Sequence, residues 1–249
     1  AFEAPAVEVD VYQPLSAADT VMVYLGIDIG STSTKAVWMT PDQSVLAGFY
    51  TRTAGRPVQA LCGLFAAMDD LVAERGIDFS VIGAGSTGSG RKFVGKLMGA
   101  DAIIDEITAH ARAAYALHPD VDTIIEIGGQ DSKFTTLRQG GVTFSIMNTV
   151  CAAGTGSFIE EQAEKLGCRL SRYSERAEQV CAPVASDRCT VFMERDINDY
   201  LGRGYGVDEV LASALHAVRE NYLTKVAVES AIGDVVCFQG ATAKNRALV

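Results

Sequence analysis

Apolar and polar residues recur along the chain with periods that predict both helices and strands. Residues 56–75 and 209–229 have the three- and four-residue apolar spacing of an amphipathic helix. Residues 105–118 are predicted to form a helix with small residues on one face. Two apolar runs, FSVIGAGSTG (79–88) and DVVCFQG (234–240), end at a glycine turn and are predicted strands, the second of them buried. This mixture indicates two α/β halves.

The chain contains an internal repeat. GIDIGSTSTK (26–35) aligns without gaps with IIEIGGQDSK (124–133). The alignment matches three pairs of residues: Asp28 with Glu126, Gly30 with Gly128, and Lys35 with Lys133. In both copies an apolar strand carries an acid two residues before a glycine, and a polar turn leads to a second strand, KAVWM or KFTTL. Each copy therefore predicts a β-hairpin.

A carboxylate recurs inside both predicted strands, where Asp and Glu are normally depleted. We interpret the two turns as phosphate-binding, with amides and hydroxyls that hold nucleotide phosphates and glycines that allow close backbone approach. Asp28 and Glu126 would then reach a hydrated magnesium ion. The alternative is two hairpins with ordinary turn glycines and incidental acids. The GxxxxGK[ST] and GxGxxG patterns are missing before a helix in both copies, which argues against P-loop and Rossmann sites.

Composition and charge narrow the class of protein. Of the 249 residues, 48% are hydrophobic and 21% are charged, as in an ordinary globular protein of one or two domains. The net charge of -10, with no local run of Lys or Arg, argues against nucleic acid and anionic membrane as partners. We recognise no membrane span and no signal peptide. The six cysteines are expected to be reduced thiols, which indicates the cytoplasm.

A third turn, GATAKN (240–245), follows the last predicted strand. With the two hairpins it resembles the nucleotide site of the actin, Hsp70 and sugar-kinase superfamily. Three further motifs narrow the resemblance: EIGGQDSK, EITAHARAA, and NTVCAAGTGSF followed by CTVFMERD. From about residue 24 to its end, the chain resembles the ATP-dependent activases of 2-hydroxyacyl-CoA dehydratases and the related ATPase subunits of benzoyl-CoA reductases.

The resemblance implies an α/β fold of two duplicated, ribonuclease-H-like (actin-like ATPase) domains with a nucleotide cleft between them. We expect subdomain I at residues 24–118 and subdomain II at residues 119–249, with the final helix of this fold missing, as after a C-terminal truncation. Residues 1–22 form an acidic lead-in with Pro and Ala and no clear period, which we interpret as a linker or the tail of a preceding module.

The resemblance also implies one 4Fe-4S cluster shared by two subunits, with Cys151 and Cys189 as the ligands from each. The residues agree, because a four-iron cluster usually takes four thiolates and one chain offers no dense cysteine run. Two chains supplying two thiolates each would complete the set on a dimer axis. Both cysteines precede predicted helices, at residues 156–167 and 190–202, whose positive N-terminal ends stabilise an anion.

The other four cysteines receive weaker assignments. We interpret Cys62, on the apolar face of a helix, and Cys237, in a buried strand, as small buried hydrophobic residues. The role of Cys168 stays open. Cys181 lies eight residues before Cys189 and is an alternative cluster ligand.

The candidate site residues come from the three turns. The catalytic candidates are the strand carboxylates and two polar turn residues that would orient the attacking water and the metal: Asp28, Glu126, Gln130 and Asp131. The nucleotide-binding candidates lie in the glycine turns: Gly30, Ser31, Thr32, Ser33, Thr34, Lys35, Gly128, Gly129, Gly154, Gly240, Ala241 and Asn245. Alternatively, Gln130 and Asp131 only cap their own turn. We interpret His110 as a satisfied helix histidine rather than a catalytic base.

The resemblance implies an ATP-hydrolysing electron-transfer homodimer, with ATP or ADP, Mg²⁺ and the shared 4Fe-4S cluster as cofactors. Its partners would be a dehydratase or reductase that accepts the electron and a ferredoxin or flavodoxin that donates it. A small-molecule kinase of the same superfamily is the first alternative, although a kinase has no use for Cys151 and Cys189 at helix starts. A non-catalytic regulatory ATP-binding module of a larger protein is the second.

Overall fold

The computed structural model describes residues 6–15, 20–148 and 154–249. The chain divides into two compact units, Ala1–Ala109 and His110–Val249. Each unit contains one β-sheet with helices, so the fold is mixed α/β with two sheets, and this part of the prediction is confirmed. Among the described residues, no helix combines the length and the apolarity needed to cross a membrane.

The first unit is built on a six-stranded sheet. Its strands are β1 (Glu8–Val11), β2 (Thr20–Ile29), β3 (Ser33–Met39), β4 (Val45–Arg52), β5 (Asp78–Thr87) and β6 (Ala102–Ile103). They lie in the order β1-β4-β3-β2-β5-β6, with β5 parallel to both of its neighbours and the other pairs antiparallel. Helices α1 (Pro57–Arg75) and α2 (Arg91–Met98) belong to this unit, and α3 (Glu106–Leu117) spans the division between the units.

Alternation along β2 explains the core of the first unit. Every second side chain points to the same face of a strand, and on β2 that face is apolar and buried. The buried residues of β2 are Val23, Leu25, Ile27 and Ile29. The apolar stripe of α1 joins the same core through Leu61, Leu64, Met68 and Leu71. Trp38 on β3, only 1% exposed, packs against the rings of Phe49 and Phe79.

The second unit is built on a four-stranded sheet. Its strands are β7 (Thr123–Ile127), β8 (Ser132–Arg138), β9 (Gly141–Met147) and β10 (Val236–Gln239). They lie in the order β10-β7-β8-β9, and only the β10–β7 pair is parallel. The helices are α4 (Gly156–Lys165), α5 (Leu170–Ala177), α6 (Thr190–Gly202) and α7 (Val207–Lys225). Helix α7 is the most buried of these four, and its apolar residues form the middle of the core cluster.

Four strands have the same order and directions in both units. The order is β4-β3-β2-β5 in the first unit and β9-β8-β7-β10 in the second, and in each case only the last pair is parallel. The register places Asp28 opposite Lys35 in one hairpin and Glu126 opposite Lys133 in the other. The sequence repeat therefore corresponds to an equivalent hairpin in each unit.

The five helices predicted from the sequence are confirmed as α1, α3, α4, α6 and α7. The prediction that residues 234–240 form a buried strand is wrong in its burial. Val236 is 42% exposed and the rest of β10 is half-buried, because β10 is an edge strand of the described sheet. Cys62 is exposed rather than buried, because its neighbours Leu61 and Gly63 occupy the buried face of α1. Cys237 is only half-buried.

The described part of the lead-in forms structure rather than a linker. Strand β1 pairs with β4, and β2 already begins at Thr20. The amide of Tyr12 donates to the carbonyl of Leu46 (2.9 Å), and Thr51 Oγ1 donates to the carbonyl of Ala6 (2.7 Å). Short strands without strong alternation are hard to recognise from sequence, and all four residues of β1 are exposed.

Candidate functional site

The first repeat hairpin ends in a tight turn after β2. The amide of Gly30 donates to the carbonyl of Ser33 (2.9 Å), which closes the turn. Thr53, just after β4, holds the turn from the side. Its Oγ1 donates to the carbonyl of Gly30 (2.7 Å), and its amide donates to the carbonyl of Thr32 (2.9 Å). Thr34 Oγ1 lies 2.8 Å from Thr53 Oγ1. The turn is thus tied to two strands of the sheet.

Asp28 lies beside this turn and remains partly open to solvent. Lys35 Nζ lies 3.1 Å from Asp28 Oδ2, and the two side chains are 47% and 26% exposed. Two nearby hydroxyls, of Thr32 and Thr87, are buried and have no hydrogen-bond partner among the described residues. Thr87 is also the residue of β5 that pairs with Asp28. Because a buried polar group normally has a partner, these hydroxyls are candidate ligand contacts.

A cavity of about 440 Å³ opens beside Asp28 and Lys35. It is lined by residues of β2, β3 and β5 together with Ile104 and Ala109, and the lining is largely apolar. Small-molecule sites commonly have a volume of roughly 300–1,000 Å³ and a few polar groups. The first unit therefore offers space for a ligand next to a solvent-accessible carboxylate.

The second repeat hairpin has the same turn but a buried ion pair. The amide of Gly128 donates to the carbonyl of Asp131 (2.8 Å), as Gly30 does to Ser33 in the first hairpin. Lys133 Nζ lies 2.9 Å from Glu126 Oε1, and these side chains are only 4% and 8% exposed. The equivalent residues of the repeat therefore make the same ion pair in two different environments.

Glu126 has two further partners. Nδ1 of His110 lies 2.7 Å from its Oε2, and Nε2 of Gln239 donates to the same oxygen at 3.0 Å. Because an ionised carboxylate only accepts hydrogen bonds, Nδ1 of His110 carries the proton in this contact. Burial alone would raise the pKa of Glu126. The hydrogen bond from His110 and the charges of His110 and Lys133 outweigh burial and lower this pKa to about 2.

This lowered pKa predicts a loss of stability in acid. The ordinary pKa of Glu126 is 4.5, so its stabilising effect is complete above that pH and is lost as the pH falls through about 2. At roughly 1.4 kcal/mol per pKa unit, the full effect is about 3 kcal/mol. Urea unfolding of wild type and Glu126→Gln between about pH 6 and pH 3 measures it. The stability difference between the two proteins should shrink towards acid, and a constant difference would contradict the assignment.

A glycine with positive φ follows the parallel strand in each unit. Gly88 (φ +87°) follows β5, and a Cβ atom there would lie 2.4 Å from the carbonyl oxygen of Ile29. Gly240 (φ +102°) follows β10, and a Cβ atom there would lie 2.4 Å from the carbonyl oxygen of Ile127. Thr242 donates to that same oxygen through its amide (3.3 Å) and its Oγ1 (3.1 Å). These two glycine turns therefore lie against the first strand of the hairpin in each unit, at equivalent positions.

Gly240→Ala is expected to lower the free energy of unfolding by about 3 kcal/mol, because the new methyl group meets backbone in a conformation that L-residues rarely adopt. Gly167→Ala is the matched control in the same unit. Gly167 also has positive φ (+61°), but a Cβ atom there has nothing within 4 Å. The control should cost only about 1 kcal/mol. Equal losses in urea unfolding would show that Gly240 is not a close-approach position.

The turn of the second hairpin is bonded directly to the start of α4. The amide of Gly156 donates to the carbonyl of Gly128 (2.8 Å), and the amide of Ser157 donates to the carbonyl of Gly129 (2.8 Å). Ser157 Oγ also donates to the Gly129 carbonyl. Cys151 lies outside the described residues, as do its immediate neighbours. The described helix nearest to it in sequence thus begins on the candidate phosphate turn.

Cys189 is the N-cap residue of α6 and is half-buried. Its carbonyl accepts hydrogen bonds from the amides of Phe192 (3.1 Å) and Met193 (3.0 Å). Its thiol therefore belongs to the residue where the partial positive charge of the helix is greatest, and this fits a thiolate ligand. The prediction that a helix starts directly after Cys189 is confirmed.

Asn221 on α7 contacts both segments that flank the two cysteines. Its Nδ2 donates to the carbonyl of Asp187, two residues before Cys189. A Cβ atom on Gly154, three residues after Cys151, would lie 2.6 Å from Asn221 Oδ1. Gly154 is therefore a close-approach position beside α7. The segment after Cys151 and the segment before Cys189 meet at one buried side chain.

The remaining cysteines lie elsewhere in the second unit or in the first. Cys168 is buried, Cys181 is exposed, and burial raises the pKa of the Cys237 thiol. Within residues 6–15, 20–148 and 154–249, no group of three or more His, Cys, Asp or Glu side chains is arranged to hold a metal ion.

Several candidate residues of the turns lie at the surface. Gln130, Ser31 and Ala241 are exposed, while Asp131 is half-buried with Oδ1 3.4 Å from Lys133 Nζ. Asn245 Oδ1 accepts from the amide of Ala247 (3.1 Å), so this side chain caps a local turn.

Four residues that contact the two hairpins were not predicted from the sequence: Thr53, Gly88, Thr87 and Gln239. The signal for Gly88 was present, because a strand that ends at a glycine occurs at both FSVIGAGSTG and DVVCFQG. No local signal marked Thr53 or Gln239, because their partners lie on other strands.

The fold and the site define a two-unit α/β protein with a paired set of candidate phosphate-binding turns. The profile of the BadF/BadG/BcrA/BcrD ATPase family matches residues 25–249. The chain belongs to this family, and the resemblance seen in the motifs is confirmed.

Three proteins that are similar to this chain in sequence or structure are, by name, activators or components of CoA-ester dehydratases. The activator of lactoyl-CoA dehydratase from Anaerotignum propionicum is 33% identical over 234 residues, covering 92% of this chain and 86% of that protein. The structure of (R)-2-hydroxyglutaryl-CoA dehydratase component A from Acidaminococcus fermentans matches with a TM-score of 0.76 and 27% identity, over 91% of this chain and 86% of that one. The activator of the 2-hydroxyisocaproyl-CoA dehydratase from Clostridium difficile, solved with bound ADPNP, matches with a TM-score of 0.75 and 28% identity, over 92% and 83%.

Proposed function

We propose that this protein is an ATP-hydrolysing iron-sulfur activator that delivers a low-potential electron to a 2-hydroxyacyl-CoA dehydratase or a related CoA-ester reductase. One observation carries the proposal. The carbonyls of Gly128 and Gly129, in the candidate phosphate turn, accept hydrogen bonds from the first amides of α4, the helix that follows Cys151. A nucleotide that moves the turn would therefore also move the helix beside the cysteine.

The nucleotide part of the proposal uses the glycine turns of both units. The ADPNP bound to the Clostridium difficile activator and the ATPase family of the chain support a nucleotide at these turns. Asp28 fits a hydrated magnesium ion, since it is partly exposed and lies beside the hydroxyls of Thr32 and Thr87, which have no partner in the described part of the chain. In this proposal the chain consists of two duplicated actin-like subdomains, residues 24–118 and 119–249.

The cluster part of the proposal rests on the cysteines at helix starts. Cys151 and Cys189 from each of two chains would hold a 4Fe-4S cluster on the axis of a homodimer. A bound cluster supplies a one-electron carrier. The described thiol, on Cys189, fits this role because Cys189 is the N-cap residue of α6. Asn221 connects its segment to the one that follows Cys151.

The two cysteine helices are also joined to each other. Lys165 on α4 pairs with Glu161 on its own helix (2.8 Å) and with Glu194 on α6. These two hydrogen bonds, to Glu161 and then to Glu194, raise the pKa of Lys165. For ATP to drive a conformational change, it must bind two conformations of the protein with unequal affinity, since equal affinity would leave their populations unchanged. The hydrogen bonds between the Gly128–Gly129 turn and α4, and the ion pair between α4 and α6, offer a route by which that change could reach both cysteine helices.

The proposed function requires two protein partners, one that accepts the electron and one that donates it. A dehydratase or reductase component accepts the electron, in line with the names of the dehydratase activators among the relatives. A ferredoxin or flavodoxin donates it, and the protein works in the cytoplasm.

Asp28→Asn is expected to lower the rate of ATP hydrolysis about 100-fold, because it removes the carboxylate that reaches the magnesium ion. Asp69→Asn, on the exposed face of α1, is the matched control and should hydrolyse ATP at the wild-type rate. Steady-state phosphate release by the anaerobically purified protein measures both. A wild-type protein that binds no ADPNP and releases no phosphate would refute the proposed function.

A further inference from the structure

The two carboxylates of the repeat are equivalent in position but not in surroundings. Asp28 pairs with Lys35 and keeps a side chain that is 26% exposed, beside a cavity. Glu126 is 8% exposed, and three donors engage its two oxygens. The repeat therefore contains one open carboxylate and one that the protein has enclosed.

The three donors to Glu126 come from three different elements. Lys133 lies on β8, His110 lies on α3, and Gln239 is the last residue of β10. Gln239 is also the backbone partner of Glu126 in the parallel pair of strands. At the equivalent place in the first unit, the partner of Asp28 is Thr87, whose hydroxyl has no partner among the described residues.

Gln239 directly precedes the third turn. Gly240 begins that turn against the backbone of Ile127, and Thr242 donates twice to the Ile127 carbonyl. Glu126 and Ile127 are consecutive residues of β7, so the turn is held by one side chain and one carbonyl of the same strand. The loss of the Gln239 contact would remove one of these two attachments of the turn to β7.

We propose that the two carboxylates have divided their roles: Asp28 reaches the magnesium ion, and Glu126 is a positioning residue that holds the third nucleotide turn and α3 against the second hairpin. This inference rests on the proposed function. Three donors already take most of the acceptor capacity of the Glu126 carboxylate. A magnesium ion there would compete with the ammonium of Lys133, whose side chain is only 4% exposed.

The test is the affinity for ADPNP, measured by calorimetry on the full chain with Mg²⁺ and with a chelator. Glu126→Gln should weaken ADPNP binding about tenfold to the same extent in both conditions, because it disturbs the turn and not the metal. Asp28→Asn should remove the gain in affinity that Mg²⁺ supplies, so that its affinities for ADPNP with Mg²⁺ and with the chelator become equal. Gln239→Met, which leaves Glu126 paired with Lys133 and His110, should weaken binding several-fold in both conditions.

A loss of affinity in Glu126→Gln only when Mg²⁺ is present would overturn the inference, since it would make Glu126 a metal contact. Unchanged affinity in both Glu126→Gln and Gln239→Met would also overturn it. If Glu126→Gln fails to fold, Gln239→Met decides alone. A wild-type protein that binds no ADPNP would instead count against the proposed function, so the two failures are distinguishable.

Discussion

Lys133→Met is expected to lower the free energy of unfolding by about 3–5 kcal/mol, the usual cost of breaking a buried ion pair from one side. The Lys133 ammonium lies 2.9 Å from Glu126 Oε1, and both side chains are almost fully enclosed. Its removal leaves an ionised carboxylate in the interior with one charged partner fewer. Protonation of Glu126 would relieve the charge only by giving up the interactions that hold its pKa low.

Lys35→Met is the matched control, because the repeat places Lys35 at the same position of the first hairpin. Its ion pair with Asp28 is partly exposed, so the loss should stay below about 1 kcal/mol. Far-UV circular dichroism follows unfolding of both units, while the fluorescence of Trp38, the only tryptophan, reports the first. The double variant Glu126→Gln, Lys133→Met should recover part of the loss. Similar losses for Lys133→Met and Lys35→Met would contradict the burial difference.

Cys189→Ala is expected to abolish the proposed iron-sulfur cluster while leaving the fold intact. In the proposed dimer the change removes two of four thiolates, and two thiolates are too few to hold a four-iron cluster. The thiol lies at the N-cap of α6, where replacement by alanine removes no side-chain cap, because the structure shows no hydrogen bond of that kind. The fold should therefore lose little stability.

Visible absorption and iron content of the anaerobically purified variant measure this loss. Cys62→Ala, on the exposed side of α1, and Cys181→Ala, eight residues before Cys189, are the controls. Both should keep the wild-type cluster. Retention of the cluster in Cys189→Ala together with its loss in Cys181→Ala would move the ligand to Cys181.

The hairpins, the amphipathic helices and the helix start after Cys189 could be predicted from the sequence, because each depends on local periodicity, turn glycines or both. The alignment of the repeat matched Asp28 with Glu126 and Lys35 with Lys133, but it did not show that these lysines pair with the acids. That contact follows from the register of an antiparallel pair.

Long-range contacts could not be predicted in this way. His110 and Gln239 reach Glu126 from positions 16 and 113 residues away in sequence, so no local pattern joins them. His110, interpreted from the sequence as a satisfied helix histidine, is bonded to one of the candidate carboxylates. The exposure of Cys62 and of β10 depends on which helix face and which sheet edge are covered, and apolar composition does not distinguish these cases.

The most direct test of the proposed iron-sulfur activator is the amount of iron and sulfide per chain in anaerobically reconstituted wild type, compared with the Cys151→Ala, Cys189→Ala double variant. ADPNP binding is measured on the same samples to show that both proteins are folded. The proposal predicts about two irons and two sulfides per chain in wild type, as for one four-iron cluster in a dimer, and none in the variant. Wild-type protein that binds ADPNP but takes up no iron would contradict it.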